Sequence, residues 1–304
     1  MEEFLRAGRF ARLVLFASAS LVVAGIGVPA AADTNDSSGG TDSLSAWFDD
    51  WYDRVHAAQG SQPDWMTPLV TVTPRLEQEI RYDQYFETLG NGGGLDNYGS
   101  GKGLEFIPTT TNEVIFGVPP YEDRYNHKPA EGFGDWPFLL IKQRLVSADN
   151  EDGNYIVTGF LSVQAPAGIK AFTSHAWTIT PTLAAGKGWG PFDIQATVGF
   201  PIPLADESTI GTAEVFNVAF QGHFARYLWP EFEINTTHWN DGARSGKTQV
   251  FLTPGIVFGR FLLGGTAKGI LGVGYQFAVA PAKILDPLTP TYQHSWIISA
   301  RLAF

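Results

Sequence analysis

The chain has 304 residues, 31 acidic against 20 basic side chains, a net charge of −11 and no cysteine. That balance argues against nucleic acid as a partner, since phosphate binding needs basic clusters, and the missing thiols exclude disulfides, metal–thiolate centres and a cysteine nucleophile. Beyond residue 32 no apolar run approaches the roughly 18 residues of a helical span, so a membrane protein of this sequence has to be a closed β-barrel, the other fold that satisfies its backbone in lipid.

Arg6, Arg9 and Arg12 form a basic start, Leu13 to Val28 is apolar or small, and Pro29 precedes Ala30-Ala31-Ala32. This is the layout of a secretory signal, and residues 1–32 are expected to be removed after Ala32. The rival, an uncleaved anchor, needs about 20 apolar residues and finds fewer. Residues 33–72 read as a flexible segment that carries one short amphipathic helix. Asp33 to Ser43 is polar and rich in Gly and Ser. Leu44, Trp47, Phe48, Trp51, Tyr52 and Val55 then recur at helical spacing, which predicts a helix over 44–57 with Asp42 or Ser43 as N-cap. Packing on a barrel rim is the favoured role of this helix, ahead of a plug inside the lumen.

From Arg75 the period changes to two. Leu76, Ile80, Tyr82 and Phe86 alternate with Arg75, Glu77, Glu79, Arg81 and Asp83; Phe192, Ile194, Ala196 and Val198 alternate with Asp193, Gln195 and Thr197. Repeated segments of this kind predict an all-β fold, an antiparallel transmembrane β-barrel of about twelve strands over 73–304. The strands are expected near 75–86, 103–110, 113–119, 137–147, 154–165, 174–185, 190–200, 212–225, 230–240, 247–258, 266–279 and 293–304. The connections alternate between short and long, with 87–102, 120–136, 201–211 and 280–292 as long outer loops. An even strand number then places both termini in the periplasm. Aromatic residues gather near strand ends, with Trp136, Trp177, Trp239, Tyr275 and Trp296 toward the outer side and Trp189, Tyr227 and Trp229 toward the periplasm, as interface belts would have them.

In the last strand His294, Trp296, Ile298, Ala300, Leu302 and Phe304 share one face. Trp296, Leu302 and the terminal Phe304 resemble the sorting signal read by the barrel-assembly machinery of bacterial outer membranes. A second likeness lies upstream. Phe232-Glu233-Ile234-Asn235, His238-Trp239-Asn240, Gln249 to Gly255 and Gly272-Val273-Gly274-Tyr275-Gln276-Phe277 resemble a family of outer-membrane transporters named after the meta-cleavage pathway of phenol degradation. The likeness covers mainly the C-terminal 120 residues or so. It implies a monomeric outer-membrane barrel that admits small organic molecules, and it supplies no catalytic or binding residue.

If the apolar sets face lipid, the inward set comprises Glu77, Glu79, Arg81, Asp83, Lys142, Arg144, Asp193, Gln195, Asn217, Gln221, Glu231, Glu233, Lys268 and Arg301. Charges of both signs could line a water-filled constriction; they could equally form a satisfied network that closes a narrow barrel. Small side chains at Gly199, Ala219, Gly255, Gly272 and Gly274 favour the pore. The expected function is passage of small solutes, hydrophobic or aromatic ones among them. The alternative is a closed structural or surface-interaction barrel. An outer-membrane hydrolase is disfavoured, because His294 and Ser295 are adjacent and so point to opposite faces, and no G-x-S-x-G occurs. Neither metal nor cofactor is called for. The expected partners are membrane lipid, the assembly machinery and the solute.

Overall fold

A computed structural model describes residues 39–281, 284, 285 and 289–304; the expected signal peptide lies outside the described residues. The chain divides into Met1–Ser45, of which only a short helical stretch is described, and Ala46–Phe304, which carries the barrel. Helix α1, Gly39–Gly60, is longer at both ends than its aromatic repeat predicts. Its last turns bury Val55 and Ala58 against Leu76 and Ile107, and the Trp51 indole donates to the Ile107 carbonyl at 3.2 Å. Ser61 then turns its hydroxyl back to the Ala57 carbonyl at 2.8 Å, taking up one of the helix's terminal acceptors.

The strands are β1 Glu79–Thr88, β2 Gly94–Gly99, β3 Gly103–Thr109, β4 Asn112–Gly117, β5 Tyr121–Tyr125, β6 Ala130–Phe133, β7 Trp136–Ala148, β8 Tyr155–Ala165 and β9 Thr178–Trp189. There follow β10 Phe192–Gly199, β11 Ile202–Pro203, β12 Ala213–Gly222, β13 Leu228–Trp239, β14 Thr248–Gly264, β15 Ala267–Ala280 and β16 His294–Ala303. All pairings are antiparallel between neighbours, and β16 returns to pair with β1 from Glu79↔Ala303 to Thr88↔His294. The result is a closed ring of 12 strands, as the alternation predicts.

Three wall strands are interrupted. The upper half of β1 pairs with β2 and its base with β3, so β2 and β3 are one strand broken at Ser100–Lys102. In the same way β4 continues into β5 across Val118–Pro120, and β6 into β7 across Gly134–Asp135. Pro119 and Pro120 have no N–H for the ladder, which dictates a break there. The breaks are stitched together: Val118 N donates to Lys102 O at 3.1 Å, and the Trp136 indole to Gly117 O at 2.7 Å. The expected long loops 87–102 and 120–136 are corrected by this pairing. They are β-hairpins with tight turns at 89–93 and 126–129, the second made possible by left-handed Asn126 and Lys128. A further correction is at 259–265: β14 runs on to Gly264, so this connection shrinks to Gly265 and Thr266.

The barrel is inside-out relative to a water-soluble one. Along β10, Phe192 is exposed while Asp193, Gln195 and Thr197 are buried; along β16, Trp296, Ile298 and Leu302 are exposed while Ser295, Ser299 and Arg301 are buried. Two belt residues are misplaced by the sequence reading. Trp229 and Trp239 are 2% and 7% exposed, because they share the inward parity of Glu231, Glu233 and Asn235. His223 stacks on Trp229 with ring centroids 4.1 Å apart, and Arg244 lies over Trp239.

Candidate functional site: the lumen and its re-entrant segment

Residues 61–78 run inside the barrel. The flexible segment expected through residue 72 therefore ends earlier, and the first strand starts at Glu79 instead of Arg75. Gln62, Trp65, Met66, Thr67, Leu69, Thr71, Thr73, Arg75, Leu76, Glu77 and Gln78 are all buried. The path follows from their partners. Ser61 and Asp64 meet Ser147 and Asn150 at the short-turn end of the wall. Asp64 also pairs with Arg260. Met66 O accepts from Gln195 at 2.9 Å, one step further in. Val70 and Thr71 reach the level of Glu233, and Pro74 O returns to Thr158 at 2.6 Å. The segment is a loop that enters from the short-turn end, bends back at Val70–Thr71 and leaves into β1.

Its tip is held through main-chain groups. Leu69 N donates to Glu231 at 3.0 Å, Val70 N to Glu233 at 2.8 Å and Thr71 N to the other Glu233 oxygen at 2.6 Å. Arg81 donates to Leu69 O at 2.6 Å; Arg301 donates to Thr67 O at 2.6 Å and Pro68 O at 2.9 Å. The Leu69 side chain, wholly buried, sits with Met66, Trp229, Val257 and Ile270 on a floor of glycines. A Cβ built on Gly255, Gly272 or Gly274 would come within 2.6, 2.6 or 2.7 Å of a Leu69 methyl, so a larger residue there would displace the Leu69 side chain. The stem is held by charged groups as well. Lys142 pairs with Glu113 at 3.0 Å and donates to Arg75 O at 3.0 Å, while Arg75 pairs with Glu77 at 2.8 Å. Glu113 accepts from Glu77 N at 2.6 Å.

The structure brings most of the sequence-derived set together here. Glu77, Glu79, Arg81, Asp83, Lys142, Arg144, Asp193, Gln195, Gln221, Glu231, Glu233 and Arg301 are buried, and Asn217 is half-buried. Arg81 pairs with Asp83 at 2.7 Å; Arg144 reaches Ala58 O at 2.7 Å; Gln195 bonds Asp193 and Gln221; Gln221 donates to Glu231 at 2.6 Å. Lys268 is exposed at the barrel's end. Sequence reasoning missed Met66, Leu69, Glu105 and Glu113. Glu105 and Glu113 sit on weakly patterned short strands. The segment around Leu69 did carry a signal: Pro63, Pro68 and Pro74 among Trp65, Met66, Leu69, Val70 and Val72 is apolar and stiff, the opposite of a linker's composition.

Toward the long-loop end the interior stays polar. Gln276 donates to Asn235 and Thr253 at 2.9 Å each, and Asn235 donates to Asn217 at 3.2 Å. Thr289 is fully buried, and Tyr292 lies on Phe251 with centroids 4.7 Å apart and donates to Gln276. A cavity of about 480 Å³ opens between Asn97, Glu122, Asp135, Gln164, Phe172 and Ser174, beside the strand interruptions. Asp135 ties down the loop there by accepting from Ser174 N at 2.7 Å and Ser174 Oγ at 2.6 Å. His294 and Ser295 lie on opposite faces of β16, and Ser295 is buried.

No family model matches the chain, and no curated protein does. Among solved structures the chain is similar to the NanC porin, with a TM-score of 0.45 and 8% identity over 75% of this chain and 98% of that one. It is also similar to OmpT, an outer membrane protein of Vibrio cholerae, with a TM-score of 0.29 and 10% identity over 75% of this chain and 96% of that one. At those values neither likeness bears on solute or chemistry.

Proposed function

We propose that this chain is a bacterial outer-membrane barrel that passes small solutes and is held closed by its own residues 61–78. One observation carries the reading: the apolar side chains point away from a polar interior, and that interior is filled by a segment bound largely through its backbone. An outward surface that is mostly apolar suits lipid on a barrel whose wall strands pair all the way round. A polar interior suits a hydrated path. The polar lining argues for hydrophilic solutes over the hydrophobic or aromatic ones that the phenol-pathway resemblance brings in. Short turns at the end where residue 61 enters and β16 finishes suit periplasmic termini. Trp296, Leu302 and Phe304 serve in this reading as the assembly signal on the lipid face of the closing strand, and the barrel works as a monomer without catalysis.

The test is conductance of the refolded protein in planar bilayers, beside Gly272→Leu with Gly274→Leu, which would crowd Leu69 from its seat. Rare openings in the parent and sustained openings in the variant are expected. Silence in both, with each shown to be a folded heat-modifiable barrel, would favour the second reading: a closed structural barrel, for which the well-bonded interior already speaks.

A further inference from the structure

The four charges around the tip of the re-entrant segment are more than a neutral peptide needs. Arg81 and Arg301 face each other across the β1–β16 pairing, and Glu231 and Glu233 follow each other on the inner face of β13. On the side of the segment, the two arginines meet carbonyls of Thr67, Pro68 and Leu69, and the two glutamates meet N–H groups of Leu69, Val70 and Thr71. Arg81 has Asp83 as a counter-ion. Arg301, Glu231 and Glu233 make no direct ion pair among the described residues, with Glu79 and Asp83 the nearby carboxylates at Arg301. Toward the segment these side chains meet only neutral main-chain dipoles, and a ligand with matching charged ends would engage them more strongly.

Resting on the channel reading above, we propose that these four side chains are a solute site for zwitterions of the amino-acid and short-peptide class. A solute carboxylate takes the place of the carbonyls on Arg81 and Arg301. Its ammonium and peptide N–H groups take the place of the three amides on Glu231 and Glu233. Residues 67–71 occupy this site as a built-in surrogate peptide, so solute and segment compete for the same hydrogen bonds. This ordering of charges along the wall is what selects the solute: a neutral polyol gains neither contact, and a simple cation or anion gains one and meets repulsion from the other pair.

The experiment is liposome swelling at neutral pH with the gate-opened protein (Gly272→Leu, Gly274→Leu), using glycylglycine against arabinose as a neutral solute of similar size. Glycylglycine should enter about tenfold faster, and Glu231→Gln with Glu233→Gln should bring the ratio close to one. Equal rates for both solutes in the gate-opened protein would overturn the site while leaving the channel intact. Absence of swelling with every solute would overturn the channel reading instead. Calorimetric titration of glycylglycine into the folded protein in detergent then decides the site separately. Saturable binding that is lost in the double Gln variant would sustain it, and no binding would overturn it. Leu69→Gly provides a second gate-opened form should the leucine variants fail to assemble.

Discussion

At the residue scale the proposed closure rests on Leu69 and Glu233. Leu69 is fully buried on its glycine floor. Replacing it with alanine should remove about 2 kcal/mol or more of packing, a shift of about 30-fold toward the open form, read as open probability in single-channel records. Glu233 accepts from two adjacent amides with its two oxygens. Glu233→Gln leaves one oxygen and turns an NH₂ toward the other amide, so one charge-assisted bond becomes a clash of donors. With such bonds contributing about 1.5–3 kcal/mol, open probability should rise by about tenfold or more, and an unchanged value would argue that the tip is not the gate. The inward direction of Glu231 and Glu233 was legible from their alternation with Phe232 and Ile234. Their actual partners were not, because the amides they bind belong to residues about 160 positions earlier.

At the element scale the interrupted strands and the closing strand matter most. The backbone packs so closely at the breaks that a Cβ on Gly117 would lie 2.1 Å from Pro137 O. Gly117→Val should therefore prevent the β4–β5 strand from passing its neighbour, seen as loss of the heat-modifiable folded band in gel mobility. The closing strand β16 exposes Trp296 to more than half. Removing Phe304, or replacing Trp296 with Ser, should lower the amount of assembled barrel in the outer membrane while leaving secretion intact; equal amounts would refute the assembly role. Prolines announce the break at 119–120. The extension of β2, β5 and β6 beyond the breaks was hidden, since their Gly-, Asp- and Asn-containing sequence has the composition of a loop and forms strands only because each finds a neighbouring edge.

At the scale of the whole molecule the question is whether residues 61–78 leave the lumen. The chain has no cysteine, so Leu69→Cys with Gly274→Cys would make a single disulfide between tip and wall. Oxidised protein should show no openings and reduced protein should recover them; conduction that ignores the redox state would place the path elsewhere. Sequence alone determined the closed antiparallel barrel and the inward or outward direction of most strand residues, because a period of two with apolar residues on one face is a local property of each strand. Tertiary structure alone decided that the lumen is filled, which charges meet, and that a proline-spaced segment outside any strand is the plug. That segment has no periodicity of its own: it is bonded by wall residues far away in sequence, and its shape exists only inside the ring they form.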